Sequence, residues 1–122
     1  MVFDAVITEL PRISEIEFHS LFDVGDKLKI EISLKGSCFS KMVFDDPLCY
    51  RVMDEGDAMI FVHWLSTQDI KSCLLKFSKS DFLEWFSNQS YNTKDYLNVS
   101  HYCLITCSHI IDVIGFDDPD IE

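Results

Sequence analysis

A chain of 122 residues with a formal net charge of −11, 48% hydrophobic and 13% aromatic residues is about the size of one domain and too apolar to be intrinsically disordered. Charge of this sign repels phosphate backbones and anionic headgroups, which disfavours nucleic-acid and membrane binding and favours a cationic protein as partner. Acidity also serves solubility, so charge alone does not choose between the two.

The opening MVFDAVITELPR has no basic start and meets an acid at Asp4, unlike a signal peptide. The longest apolar run, AMIFVHWL, is eight residues with a histidine inside, against the ~20 of a spanning helix. A soluble, cytoplasmic protein is expected. Five cysteines, at 38, 49, 73, 103 and 107, form no CxxC and are odd in number, which fits reduced thiols packed as small core residues. No repeat or linker divides the chain, so one domain spanning 1–122 is expected, with an acidic tail from about 115.

In chain order, VFDAVITEL is rich enough in β-branched and aromatic residues for a strand closed by Pro11. RISEIEFHSLFDVG is ambiguous: Ser14 and Glu17 have capping-box spacing, while Ile16, Phe18 and Phe22 fit a strand, the preferred reading. In KLKIEISLKG, Leu28, Ile30, Ile32 and Leu34 alternate with Lys29, Glu31, Ser33 and Lys35, which predicts a half-buried strand. Gly36 and Ser37 suggest a turn into CFSKMVF, its antiparallel partner. The acidic DDPLCYRVMDEGD follows, its DEGD read as a turn with Gly56 at positive φ.

AMIFVHWL (58–65) reads as a strand buried on both faces and LLKF (74–77) as another, in an antiparallel meander. SKSDFLEWFSNQS changes period: Phe82, Leu83, Trp85 and Phe86 share one side of a helix over about 80–88, with Ser78 or Ser80 as N-cap and Asp81 near the positive end of the dipole. After the polar SYNTKDYLNVS, HYCLITCSHIIDVIGF returns to one long strand pattern. The expected fold is α+β: mainly antiparallel β-sheet, as a sandwich or half-barrel, with one principal short helix.

Chemistry is sparse. His101, Cys103, Cys107 and His109 would share one strand face, but a straight strand separates the outer pair by ~26 Å, too far for one ion. His101 and Cys103 would need Cys38, Cys73 or His63 from elsewhere, and no ligand spacing supports that. Cys49 or Cys103 with His63 or His101 lacks a nucleophile signature, and Gly25, Gly36, Gly56 and Gly115 form neither a P-loop nor a dinucleotide turn. Adjacent acids such as Asp54/Glu55 or Asp117/Asp118 diverge. No catalytic, cofactor or metal site is expected.

Most of the excess charge sits in two segments. Asp45, Asp46, Asp54, Glu55 and Asp57 face only Arg51 in the first; Asp112, Asp117, Asp118, Asp120 and Glu122 face no base in the second. The succession FDDPLCYRVMDEGD, SDFLEWFSNQS and HYCLITCSHIIDVIGFDDP, over roughly residues 27–119, resembles a family of small acidic bacterial proteins. Single-domain acidic proteins of this style resemble immunity proteins of polymorphic toxin systems, including contact-dependent growth inhibition, which neutralise a sister toxin's C-terminal domain. The resemblance implies a binding protein rather than an enzyme, with a cationic toxin domain, often a nuclease, as partner.

In that reading Asp45, Asp46, Asp54, Glu55, Asp57, Asp117, Asp118 and Asp120 attract the partner, while Tyr50, Met53 and an exposed edge of the otherwise core-facing Trp85 anchor it. Arg51 would hold Asp54 or Asp46 and shape the turn. The rival is a β-rich small-ligand or scaffold module whose Phe/Trp cluster lines a pocket.

Overall fold

The computed structural model describes residues 7–9, 16–34, 39–70, 72–93 and 98–122. In chain order these form β1 (Ile7–Glu9), β2 (Ile16–Asp23), β3 (Lys27–Leu34), β4 (Phe39–Asp45), β5 (Cys49–Asp54), α1 (Met59–Ser66), β6 (Leu74–Phe77), α2 (Asp81–Gln89), β7 (Ser100–Ile105), β8 (His109–Gly115) and β9 (Asp120–Ile121). The turn expected at Gly36 and Ser37 lies outside the described residues, as does most of the first expected strand.

Alternation builds the smaller sheet. Leu28, Ile30 and Ile32 of β3 point inward and are buried, and the partner positions Phe44 and Met42 of β4 are buried with them. β2 pairs with β3, so the ambiguous segment is a strand. This sheet runs β2-β3-β4-β9 and the larger one β1-β6-β7-β8-β5, with every pairing antiparallel. Ile16, Leu28, Ile30, Met42 and Phe44 of the first sheet form one core with Leu74, Tyr102, Leu104, Ile111 and Val113 of the second. The result is an α+β sandwich, mainly antiparallel.

The opposite face of the larger sheet carries a second core, in which Phe61, Trp64 and Leu65 of α1 pack on Leu75, Phe77, Cys103 and Ile110. The molecule therefore has three layers, with the larger sheet in the middle. The expected strand at 58–65 is a helix, so the described residues hold two helices rather than one. A strand would have faced Met59, Phe61, His63 and Leu65 one way; instead Phe61, Trp64 and Leu65, at helical spacing, turn inward while Met59 and Ile60 are 72% and 61% exposed. The turn before it hands over directly: Asp57 N–H donates to Asp54 O (2.9 Å), Ala58 N–H to Glu55 O (3.2 Å), and Val62 N–H to Ala58 O (3.0 Å). Acids just ahead of the helix complement its positive end.

Three further expectations are corrected. HYCLITCSHIIDVIGF is not one strand but the hairpin β7–β8, closed where Thr106 N–H donates to His109 O (3.0 Å) and the Thr106 hydroxyl accepts His109 N–H (2.9 Å). The expected meander of 58–65 with 74–77 is not formed, because α1 carries the chain across the sheet and leaves β5 beside β8; the strands that do follow one another in space are β2-β3-β4 and β6-β7-β8. Gly56 has no positive φ; among the described residues that conformation falls on Gly25 (φ 90°), Asp46 (φ 47°), Tyr91 (φ 51°) and Asn92 (φ 59°). Gly56 instead donates its N–H to Asp54 Oδ1 (2.8 Å), and an added Cβ would meet that oxygen at 3.0 Å. The acidic tail is held too, because β9 pairs with β4, with Glu122 N–H donating to Lys41 O (2.8 Å).

Candidate functional site

Register sets the first constellation. Leu75, Cys103, Asp112 and Arg51 lie side by side across the helix-facing side of the larger sheet. Arg51 Nε donates to Asp112 Oδ2 (2.8 Å), and His101 Nε2 lies 2.6 Å from Asp112 Oδ1. A carboxylate only accepts, so Nε2 carries a proton; in the neutral ring Nδ1 then accepts the Ser80 hydroxyl, 2.7 Å away. Ser80 Oγ also accepts Leu83 N–H (3.2 Å) as the N-cap of α2. Phe77 stacks on His101 (5.0 Å), Phe82 meets it edge-on (5.2 Å), and the Arg51 guanidinium lies 4.2 Å over Phe82.

Burial alone would push the Asp112 carboxyl up; the hydrogen bond and charge of His101, with those of Arg51, outweigh it and hold it below the usual value. The expectation that Arg51 holds Asp54 or Asp46 is thus corrected: its carboxylate is Asp112, which is 4% exposed and not part of a solvated acidic run.

Ser80, His101 and Asp112 have the composition of a hydrolytic triad, but the Ser80 hydroxyl is buried and occupied with capping. His101, Cys103 and Asp112 also bring ligand atoms within 4.8 Å of one another. Two ligands on a tetrahedral zinc with ~2.0 Å bonds lie about 3.3 Å apart; the 2.6 Å between Nε2 and Oδ1 is a direct hydrogen bond. Burial, then the neighbouring Asp112, pushes the Cys103 thiol well up, away from the ligating thiolate. As it stands, this cluster locks α2 and β5 to the centre of the sheet.

The second constellation is the outer margin of that sheet. A cavity of about 500 Å³ opens between β5 and α1, walled by Met53, Ala58, Ile60, Phe61 and Ile110, with Arg51 and Asp112 at its base and Asp57 at its rim. Beside it Met59, Ile60 and Val62 are exposed. Asp54, Glu55 and Asp57 are exposed as well, and none of them forms an ion pair among the described residues.

The structure divides the remaining expected contact residues. Asp54 pairs with His109 at one end of β8 and Cys49 with Ile114 at the other. The seven residues of β8 span roughly 20 Å. Asp54, Glu55 and Asp57 therefore gather at one end with Met53, whereas Asp45 and Asp46, which precede β5, and Asp117 and Asp118, which follow β8, belong to the other.

Asp45 is paired with Lys27 (2.5 Å), and Asp118 with Lys76 (2.9 Å). Asp46 and Asp117 are exposed, as is Asp120 on β9. Tyr50 is half-buried and donates its hydroxyl to Asp23 (3.2 Å). Trp85, read mainly as core, is 49% exposed and stacks on Phe82 (5.8 Å). Sequence reasoning missed Met59, Ile60 and Val62 because a strand buried on both faces hides them; the helical spacing of Phe61, Trp64 and Leu65 was the available signal.

No helix among the described residues is long and apolar enough to cross a membrane. In comparisons with known proteins, no family model, no curated protein and no solved structure matches the chain.

Proposed function

We propose that this chain is a binding protein of the immunity type, which captures a cationic bacterial toxin domain on the margin formed by β5, the Asp54–Asp57 turn and α1, and neutralises it by covering it. One observation carries the reading: three exposed acids with no ion pair among the described residues stand directly beside apolar side chains left open to solvent, Met59 at 72% and Ile60 at 61%. Acids alone serve solubility, and scattered apolar residues are ordinary on a surface. Their conjunction at a concave margin gives steering charge around a part that rewards desolvation.

The test is affinity capture of the chain from its source cells, followed by association kinetics with the captured protein. A cationic toxin domain is expected. Raising salt should slow its association strongly and change dissociation little. Reversing Asp54, Glu55 and Asp57 to Lys should weaken binding, while Glu31→Lys on β3 should not. A partner bound equally well by the triple variant at low and high salt would refute the acidic margin.

The cavity favours a second reading, a small-ligand module without catalysis, since its volume lies within the range of small-molecule pockets. A purified chain that carries a bound small molecule in native mass spectrometry would favour that reading instead.

A further inference from the structure

We infer that the cavity between β5 and α1 seats a single bulky apolar side chain of the partner, flanked on that partner by lysine or arginine. The inference rests on the reading of this margin as the binding face and specifies the chemistry of what enters it. The walls are apolar and in part adaptable: Met53 and Met59 line the space with Ile60 and Phe61, and methionine repacks readily around a guest. These walls call for an apolar occupant.

Charge decides what surrounds that occupant. The one base lining the cavity, Arg51, is already matched by Asp112 and lies over Phe82. With Asp57 at the rim the cavity keeps a negative balance, which disfavours an anionic small molecule. Asp45, Asp112 and Asp118 each have a base of their own, whereas Asp54, Glu55 and Asp57 have none among the described residues. Asp46, Asp117 and Asp120 are exposed too, but away from this margin; Asp54, Glu55 and Asp57 stand at the mouth of the cavity, where basic side chains on either side of a buried apolar one would reach them. The apolar group supplies affinity, and the charges supply rate and orientation.

Methionine ε-methyl NMR on the full chain tests this directly. Met53 and Met59 line the cavity, while Met42 is buried in the other core and serves as the internal control. The probes are acetylated peptides Lys-Lys-Gly-X-Gly-Lys-Lys with X as Leu, Phe, Gly or Asp. Leu and Phe are expected to shift Met53 and Met59 saturably, leave Met42 still, and bind roughly tenfold tighter than Gly, as burial of one such side chain predicts.

Ile60→Asp, at an exposed position that the fold does not need, should abolish the Leu preference and keep the weak cationic binding. Equal binding of the Leu and Gly peptides, with amides of Asp54–Asp57 moving and both methyls still, would overturn the seat and leave the acidic margin standing. Absence of any methyl or amide shift at millimolar peptide would overturn the seat as well. The capture and charge-reversal experiment then decides separately whether the margin binds a protein at all.

Discussion

Arg51 and Asp112, 61 residues apart in the chain, stand opposite each other in the β5–β8 register and share a 2.8 Å hydrogen bond that carries opposite charges. The only base of the acidic segment is thereby spent on an acid of the other acidic run. Asp112 also receives His101, so one carboxylate ties the outer strand β5, the central strand β7 and, through Ser80, the start of α2.

Asp112→Asn is expected to cost about 2–3 kcal/mol at neutral pH, since it leaves Arg51 and His101 facing an uncharged amide in a buried site. The native carboxyl lies below its unfolded value, ~3.9. Its stabilisation is therefore complete above that value and fades as pH falls through the folded one. Urea unfolding at pH 7 and pH 3 checks both points: the gap between native and variant should narrow in acid, and an unchanged gap would refute the assignment.

Ser80→Ala removes the cap of α2 and the second partner of His101, and should cost roughly 1–2 kcal/mol. Ser78, the other sequence candidate for this cap, is exposed, and Ser78→Ala should be nearly silent. Thermal melts of the two variants side by side decide it; equal losses would show that the cap does not distinguish them.

Burial first, then the charge and hydrogen bond of Asp118, raise the Tyr102 phenol far above its ordinary value. A raised folded value contributes stability that is present below the unfolded one, about 10, and is lost as pH climbs. In an alkaline absorbance titration one phenol should ionise only with unfolding. Tyr102→Phe should delete that last step, and a titration unchanged by the substitution would count against it.

Cys103 is buried with a thiol pushed well up, while Cys107 is exposed in the β7–β8 turn. A thiol reagent should label Cys107 in the native protein and Cys103 only in denaturant. Elemental analysis of the native protein is expected to find no stoichiometric zinc. One zinc per chain, with Cys103 protected even after partial unfolding, would replace the hydrogen-bonded lock by a metal centre.

The legible parts of the sequence were those where one period governs one element. Leu28, Ile30 and Ile32 alternate because β3 has one covered face, and Ser80 with Phe82 marks α2 because capping and helical spacing agree. AMIFVHWL was not legible as a helix, since a short run of seven apolar residues around His63 fits either period until a neighbouring layer selects Phe61, Trp64 and Leu65. The role of Asp112 was hidden for a different reason: nothing local distinguishes an acid that faces a histidine across a hairpin from one that faces water. Of the proposed margin, the sequence singles out Asp54, Glu55 and Asp57 by their charge and Met53 only through the immunity resemblance, and it does not point to Met59, Ile60 or Val62.

β7 lies between β6 and β8, under the smaller sheet on one face and the helices on the other. Its amides, from His101 to Leu104, can meet solvent deuterium only when the whole fold opens, whereas those of α1 are released by local fraying. The two sets of exchange rates therefore run on separate clocks. A molecule seated against α1 slows the fast clock by closing the local route and slows the other only through the stability it adds to the entire chain. The ratio of the two separates contact at the margin from general stabilisation in a single time course.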